Sequence, residues 1–286
     1  MTSHTAAQDS AENKLKGKVA LVTGASRRIG RALAMALAEE GVNIVAHDRR
    51  DLEQETARVC DEVVGCGAKS WNVSADLEKP EEYETLVARA INTAGSLDIL
   101  INNASIFQPS TLMDMGFNDL MRHIHVNAWS PLVLSREFSR LAGRGKIINL
   151  LDTKIIGYDL AHVAYILSKR MLADLTAMCA REFAPAITVN AVASGLILPP
   201  AGKDENYLNT MSHAVPLKRH GEPDDIADAA LYLLKSDFVT GQVVYVDGGR
   251  HLLEGGDGPN SDQLSSRTVR HRRSRRRTQG EAGCTH

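Results

Sequence analysis

Cysteine is scarce in this chain of 286 residues, and what there is has no telling pattern. Cys60, Cys66, Cys179 and Cys284 form neither a C-x-x-C pair nor a metal-type cluster. They are expected to be free thiols in a reducing compartment, which gives a cytoplasmic location, with a Cys60–Cys66 disulfide as the lesser alternative. His123, His125, His162, His213 and His220 lack metal spacing too, so no metal site is expected and they read as structural or surface groups. No apolar run approaches a membrane span, and the opening MTSHTAAQDSAENKLKG is polar where a secretion signal is apolar. There is no internal repeat. An excess of basic charge is missing as well. From Glu254 onward seven arginines face Glu254, Asp257, Asp262 and Glu281, a local +3, so residues 1–253 carry −5 of the net −2. That acidic body gives no support to nucleic-acid binding. The run RTVRHRRSRRR near the end looks like a patch for nucleic acid or an anionic surface, although a solvated tail is the plainer reading.

What remains is an ordinary globular composition, 43% apolar and 24% charged, long enough for a core without staples. Strand and helix patterns alternate from Lys18 to about Leu253. VALVTG, VNIVAH, KSWNVSAD, LDILINNAS, KIINLLD, Ile187 to Val192 and VVYVDGG read as strands. Arg31 to Glu40 and Leu52 to Val64 have helical periodicity, and further helical segments fall between the later strands. Alternation of this kind predicts one α/β unit over 15–253, a Rossmann-type doubly wound parallel sheet with helices on both faces. Residues 1–14 and the Gly/Ser/Arg-rich 254–286 hold too few large apolar groups to offset the entropy of ordering and are expected to be disordered.

TGASRRIG follows the first strand and opens a helix. Gly24 allows the tight turn, Gly30 allows helix and strand to approach, and the helix N-terminus offers N–H groups to a pyrophosphate. The middle glycine of such a loop is replaced by Arg28, whose guanidinium suits phosphate oxygens or the edge of a substrate. Asp48 closes the second strand, where a carboxylate would bond a ribose 2′-OH and repel a 2′-phosphate. Arg49 and Arg50 follow it, and Arg27 lies in the facing loop. Guanidiniums around one carboxylate favour a phosphate dianion, so NADP(H) is chosen over NAD(H).

The chemistry rests on Tyr165 and Lys169, four apart and so on one helix face. An ammonium beside a phenol favours the phenolate and makes the phenol a better acid at neutral pH. Thirteen residues earlier stands Asp152. Its alternatives are a catalytic carboxyl, a cap, or an ion-pair partner of Lys154 or an arginine, and Thr153 offers a hydroxyl beside it.

These motifs resemble the short-chain dehydrogenase/reductase family over about residues 16–253. The likeness rests on TGASRRIG, Asp76 after the third strand, INNAS at 101–105, Asn127 in MRHIHVNAW, Tyr165 with Lys169, and VDGG at 246–249. It implies a Rossmann fold and a Tyr/Lys proton relay in which the helix of Asn127 anchors a water. It also implies a cofactor held by Gly24, Arg27, Arg28, Ile29, Gly30, Asp48, Arg49, Arg50, Asp76, Leu77, Asn103, Ala104, Ser105, Tyr165, Lys169 and Gly195. Family members are commonly tetramers, and a homotetramer packed through the helices of Asn127 and Tyr165 is expected; the apolar face of Leu167, Met171, Leu175 and Met178 allows it, and core packing explains that face equally well.

Three departures from the common pattern resemble pteridine reductases: Arg28 in the loop, NNASIFQPS, and Asp152 where serine is usual. The likeness implies a pterin or folate substrate, reduced from dihydro- to tetrahydro-form, with fully oxidised pterin as a further substrate. Phe107 would cover one ring face, Ser105 and Arg28 would meet the aminopyrimidine edge, and Tyr165 and Asp152 would supply protons. Phe107 is equally readable as core and Ser105 as a turn cap. The segment ASGLILPPAG has Ser194 in place of the usual proline, and the polar stretch that follows, to about Val215, is expected to form much of a substrate lid. The competing readings are a general ketone or alcohol reductase and a non-catalytic dinucleotide sensor.

Overall fold

Every residue of the first strand, β1 (Val19–Thr23), is buried, because helices cover both faces of the sheet in whose interior it lies. Ala20 and Val22 point into one layer and Val19 and Leu21 into the other, the period-two alternation of a strand. The computed structural model describes residues 13–200 and 202–253. After β1 come α1 (Arg28–Glu39), β2 (Asn43–Asp48), α2 (Glu53–Gly65), β3 (Ser70–Ser74), α3 (Pro80–Tyr83), α4 (Leu86–Ala94) and β4 (Ile99–Asn102). The second half continues with α5 (Phe117–Ile124), α6 (Ser130–Ala142), β5 (Gly145–Asp152), α7 (Val163–Glu182), β6 (Ile187–Ser194), α8 (Glu205–Ser212), α9 (Pro223–Lys235) and β7 (Val243–Val246).

The strands form one parallel sheet in the order β3-β2-β1-β4-β5-β6-β7. The order reverses between β1 and β4, and an open α/β sheet binds ligands in the crevice beyond the strand ends at such a reversal. In α1 the buried positions Gly30, Leu33, Ala34, Leu37 and Ala38 repeat at helical spacing. Leu33 and Leu37 meet Val59 and Val63 of α2 and Ile226 and Leu233 of α9 on one side of the sheet. On the other side Leu86, Val87, Leu134 and Phe138 pack on Leu21 and Leu100. Each fully buried leucine contributes about 2 kcal/mol relative to an exposed one.

Two features depart from the sequence expectation. The stretch 203–215 is not simply a polar loop: it contains α8, whose Leu208 packs with Leu196 and Val215. The helix carrying Asn127 is continuous only through a π-helical turn at His125–Trp129 between α5 and α6, a wide turn that often marks functional sites. The termini expected to be disordered lie outside the described residues, apart from Asn13 and Lys14. Asn13 donates to the Glu40 carbonyl at 2.9 Å and Lys14 pairs with Asp237 at 2.7 Å. Cys60, Cys66 and Cys179 are unpaired. Among the described residues no helix is long and apolar enough to cross a membrane.

Candidate active site

A cleft of about 470 Å³ opens at the carboxyl ends of the central strands. Its floor is the turn after β1. Gly24 has φ +66, and a Cβ on Gly30 would stand 1.9 Å from the Gly24 carbonyl oxygen. Only hydrogen at Gly30 lets α1 start against the strand. Asn103, at the end of β4, fastens this turn. Its side-chain amide donates to the carbonyls of Thr23 (2.8 Å) and Gly24 (3.1 Å), and its N–H donates to the Thr23 hydroxyl. Arg28 takes φ +55, the left-handed region a glycine would enter freely. An L-residue there costs about 1–2 kcal/mol. Its Nη2 donates across the cleft to the Pro199 carbonyl at 3.0 Å. Burial, and then Arg27 beside it, lowers its pKa.

The expected cluster of arginines around Asp48 is not formed. The Asp48 carboxylate accepts from the Ser26 hydroxyl and N–H on one oxygen and from the Arg49 N–H at 2.9 Å on the other. A strand-end carboxylate facing a tight turn satisfies the turn's donors first, because they are fixed and close. Arg49 pairs instead with Asp51 at 2.8 Å, while Arg50 lines a neighbouring hollow of about 220 Å³ beside Asp76 and Lys79. Asp76 accepts the Glu78 N–H at 3.0 Å. Arg27, Ile29, Arg49, Asp76, Leu77, Ala104, Ser105 and Gly195 all border the main cleft.

Asp152 ends β5 and caps the short turn Thr153–Ile155, its Oδ1 accepting the Lys154 N–H at 2.8 Å. Its Oδ2 accepts the Tyr165 hydroxyl at 3.3 Å. The carboxyl therefore serves as cap and phenol partner together, whereas Thr153 is buried beneath it. Burial raises the Asp152 pKa, against the opposing pull of the Lys154 N–H and ammonium, Arg250 and Lys169. Burial first, then the Asp152 charge, also pushes the Tyr165 phenol well above its usual value. This reverses the expectation that Lys169 would favour a phenolate. The Lys169 ammonium lies 5.8 Å from the Tyr165 ring centre and donates to the Leu150 carbonyl at 2.8 Å. Burial brings Lys169 itself down to about 8, with Asp152 opposing. The site thus holds a neutral phenol bonded to a proton-avid carboxyl, with a buried ammonium nearby.

Asn127 does not line the cleft. It is fully buried behind it, its amide donating to the Ile106 carbonyl and the Ser168 hydroxyl, both at 3.0 Å. Its oxygen accepts from Ser105 Oγ (3.1 Å) and the Ile106 N–H (2.9 Å). It ties the strand-end loop after β4 to α7, and Ser105 is a partner in that tie. Phe107, readable as core, is 41% exposed and borders the cleft, its ring 4.7 Å from that of Tyr165 and nearly perpendicular. Sequence reasoning missed Tyr207 on α8 and Arg250 after VDGG, both on the cleft wall. The turn Arg250–Leu253 packs on the turn Thr153–Ile155. No motif in the sequence announces Arg250, because that contact joins segments almost a hundred residues apart.

Fold and site together define an α/β oxidoreductase with a nucleotide-type loop and a Tyr/Lys pair. The family model described as enoyl-(acyl carrier protein) reductase matches residues 24–251. The chain belongs to the short-chain dehydrogenase/reductase family. It is 33% identical over 251 residues to an uncharacterized oxidoreductase of Mycobacterium tuberculosis, covering 82% of this chain and 93% of that one. It is 34% identical to the 3-oxoacyl-[acyl-carrier-protein] reductase FabG of Staphylococcus epidermidis, covering 82% and 99%. Among solved structures it resembles FolM alternative dihydrofolate reductase 1 of Brucella canis complexed with NADP. That match has a TM-score of 0.77 and 30% identity, over 85% of this chain and 97% of that one.

Proposed function

We propose that this protein is an NADPH-dependent reductase of pterins, converting dihydropterin or dihydrofolate to the tetrahydro form. The observation that carries the reading is the Asp152 carboxyl, half-buried, raised in pKa and 3.3 Å from the Tyr165 hydroxyl. Reduction of a ring C=N bond requires a proton on nitrogen. A phenol beside a carboxyl that burial draws toward its protonated form suits it better than the single phenol a ketone needs. The likeness to a dihydrofolate reductase complexed with NADP supports the same substrate class.

When bound, NADPH supplies the hydride. The chain's part is to hold and orient. The turn from Gly24 to Gly30, closed by Asn103, is a cradle that a side chain would fill, and the start of α1 would offer its N–H groups to the cofactor's pyrophosphate. Both Asp48 oxygens are engaged, which leaves Arg27 and Arg49 to meet a 2′-phosphate. The Arg49–Asp51 pair is half-exposed and worth about 0–1 kcal/mol, so exchanging it for phosphate costs little. Arg50 stands outside the main cleft and contributes long-range charge. Leu77 beside Asp76, Ala104, Ile29 and Gly195 line the cleft and would border the cofactor. On the substrate side Phe107 offers an apolar ring face, and Ser105 and Arg28 offer polar contacts to the aminopyrimidine edge. Tyr165 gives its proton to the ring nitrogen, and Asp152 passes its own to the phenol or to a second nitrogen. Lys169 sets the local charge, and Asn127 fixes the loop that carries Ser105 and Phe107.

The test is NADPH oxidation with dihydrobiopterin or dihydrofolate against a panel of ketones and 3-oxoacyl thioesters. Turnover of the pterins, with ketones slow or inert, is expected. The converse pattern would replace this reading with a general ketone reductase, to which the FabG likeness points. We also propose a homotetramer built on the α5–α6 and α7 faces. On α7, Leu167 and Met178 are exposed and available to a partner, whereas Met171 and Leu175 are partly buried in the chain's own core.

A further inference from the structure

The imidazole of His162 lies nearly parallel to the Phe107 ring, 17° between planes and 4.1 Å between centres. No role in the chemistry above falls to it. The segment around it is unusually well fastened. Val163 N–H donates to the Ser110 carbonyl (3.0 Å), Ser110 N–H to the Ala161 carbonyl (2.8 Å), and Ala164 N–H to the Ser110 hydroxyl (3.0 Å). The loop after β4 and the entry to α7 are thereby joined as one unit. The imidazole Nδ1 is 3.0 Å from Asp159, whose carboxylate is almost fully buried, also accepts the Ala161 N–H at 2.8 Å, and pairs with Lys154. Lys154 in turn belongs to the turn that Asp152 caps. Against its burial, the imidazole hydrogen bond, the Lys154 ammonium and the Ala161 N–H hold the Asp159 carboxyl far below the usual range.

We propose that His162, clamped by Asp159, is a positioning residue that sets the Phe107 ring as a platform for the flat substrate ring. This rests on the reading of Phe107 as the substrate-facing aromatic. Three observations lead to it. Phe107 is 41% exposed and borders the cleft, so without a backing ring it would be free to change rotamer. The Tyr165 ring meets Phe107 edge-on, so on this strand-end loop a stacked ring is what fixes the orientation of the Phe107 faces. A polar ring is a poor choice for such backing unless its own orientation is fixed, which the buried carboxylate does. Stacked ring pairs contribute beyond their buried area, and for His162 the gain falls on substrate affinity, because its imidazole bonds Asp159 and not the Tyr165 hydroxyl, whereas the Asp159 charge also reaches the phenol.

The test uses the full chain with His162→Ala, His162→Phe and Asp159→Asn. His162→Ala should raise KM for dihydrobiopterin about five- to tenfold, with kcat and KM for NADPH within about twofold of the parent. His162→Phe, which keeps a stacked ring, should restore most of the KM. An unchanged pterin KM in His162→Ala overturns the proposal, as does a fall in kcat alone. A second measurement reads the platform directly. With 4-fluorophenylalanine in place of the five phenylalanines, the Phe107 fluorine signal is assigned through Phe107→Leu. It should be sharp in the parent and broaden in both His162→Ala and Asp159→Asn, while the other four stay sharp. A Phe107 signal as sharp in His162→Ala as in the parent overturns the proposal whatever the kinetics. Absence of pterin turnover in the parent would sink the substrate reading alone, and the fluorine linewidth would then decide the positioning role.

Discussion

Asp152 is drawn toward ionisation by Lys154, Arg250 and Lys169, and burial still wins. The balance has a consequence for pH. If protonated Asp152 feeds the ring nitrogen, turnover is highest below its pKa and falls as pH rises through it. Removing Arg250 takes away one of the cations that favour the carboxylate, so the pKa rises and the fall moves to higher pH. A kcat/KM profile of Arg250→Gln against the parent checks this, and an unmoved or acid-shifted fall contradicts it. Lys169 is charged below about 8 and neutral above it, so a second loss of activity is expected as pH passes that value. Tyr165→Phe removes the donor and should lower kcat by about 10²–10⁴ without unfolding, since the ring keeps its contact with Phe107. Single-turnover NADPH oxidation separates that loss from a binding defect.

At the scale of elements, the strands, the order of motifs and the glycine turn were legible because each is written locally. The apolar run of β1 and the spacing of Leu33, Ala34 and Leu37 in α1 carry their own periods. What was not legible was contact between distant segments. The engagement of Asp48 by Ser26, the Arg28 reach to Pro199, the α8 cover and the seat of Arg250 all depend on where loops meet. The reversal at Tyr165 has the same origin: spacing put Lys169 on its face, but burial, which no spacing reveals, governs the phenol. The glycine turn also gives a sharp structural prediction. Gly30→Ala would place a methyl 1.9 Å from a backbone oxygen. The strain should cost at least about 2 kcal/mol and lower Tm by roughly 4–8 °C. Calorimetry of the variant reads it, and an unchanged Tm would mean the turn is laxer than its geometry implies.

For the whole molecule, the acidic balance of residues 1–253 and the arginines that follow Glu254 pull in opposite directions, and their screening differs with salt. Apolar packing between copies does not depend on that screening. The exposed Trp129, Leu167 and Met178 are therefore expected to hold a tetramer at both low and high ionic strength. Sedimentation should give about four times the chain mass in each; a monomer in both would remove the assembly proposal.

In the proposed reaction Asp152 and Tyr165 act together on one ring. The most direct measurement is kcat/KM for dihydrobiopterin with NADPH in Asp152→Ser beside the parent chain. We expect a fall of at least about tenfold, the low end of a lost proton donor, while Tm and NADPH affinity hold. Pterin turnover equal to that of the parent would contradict the claim and leave Tyr165 to act without the carboxyl.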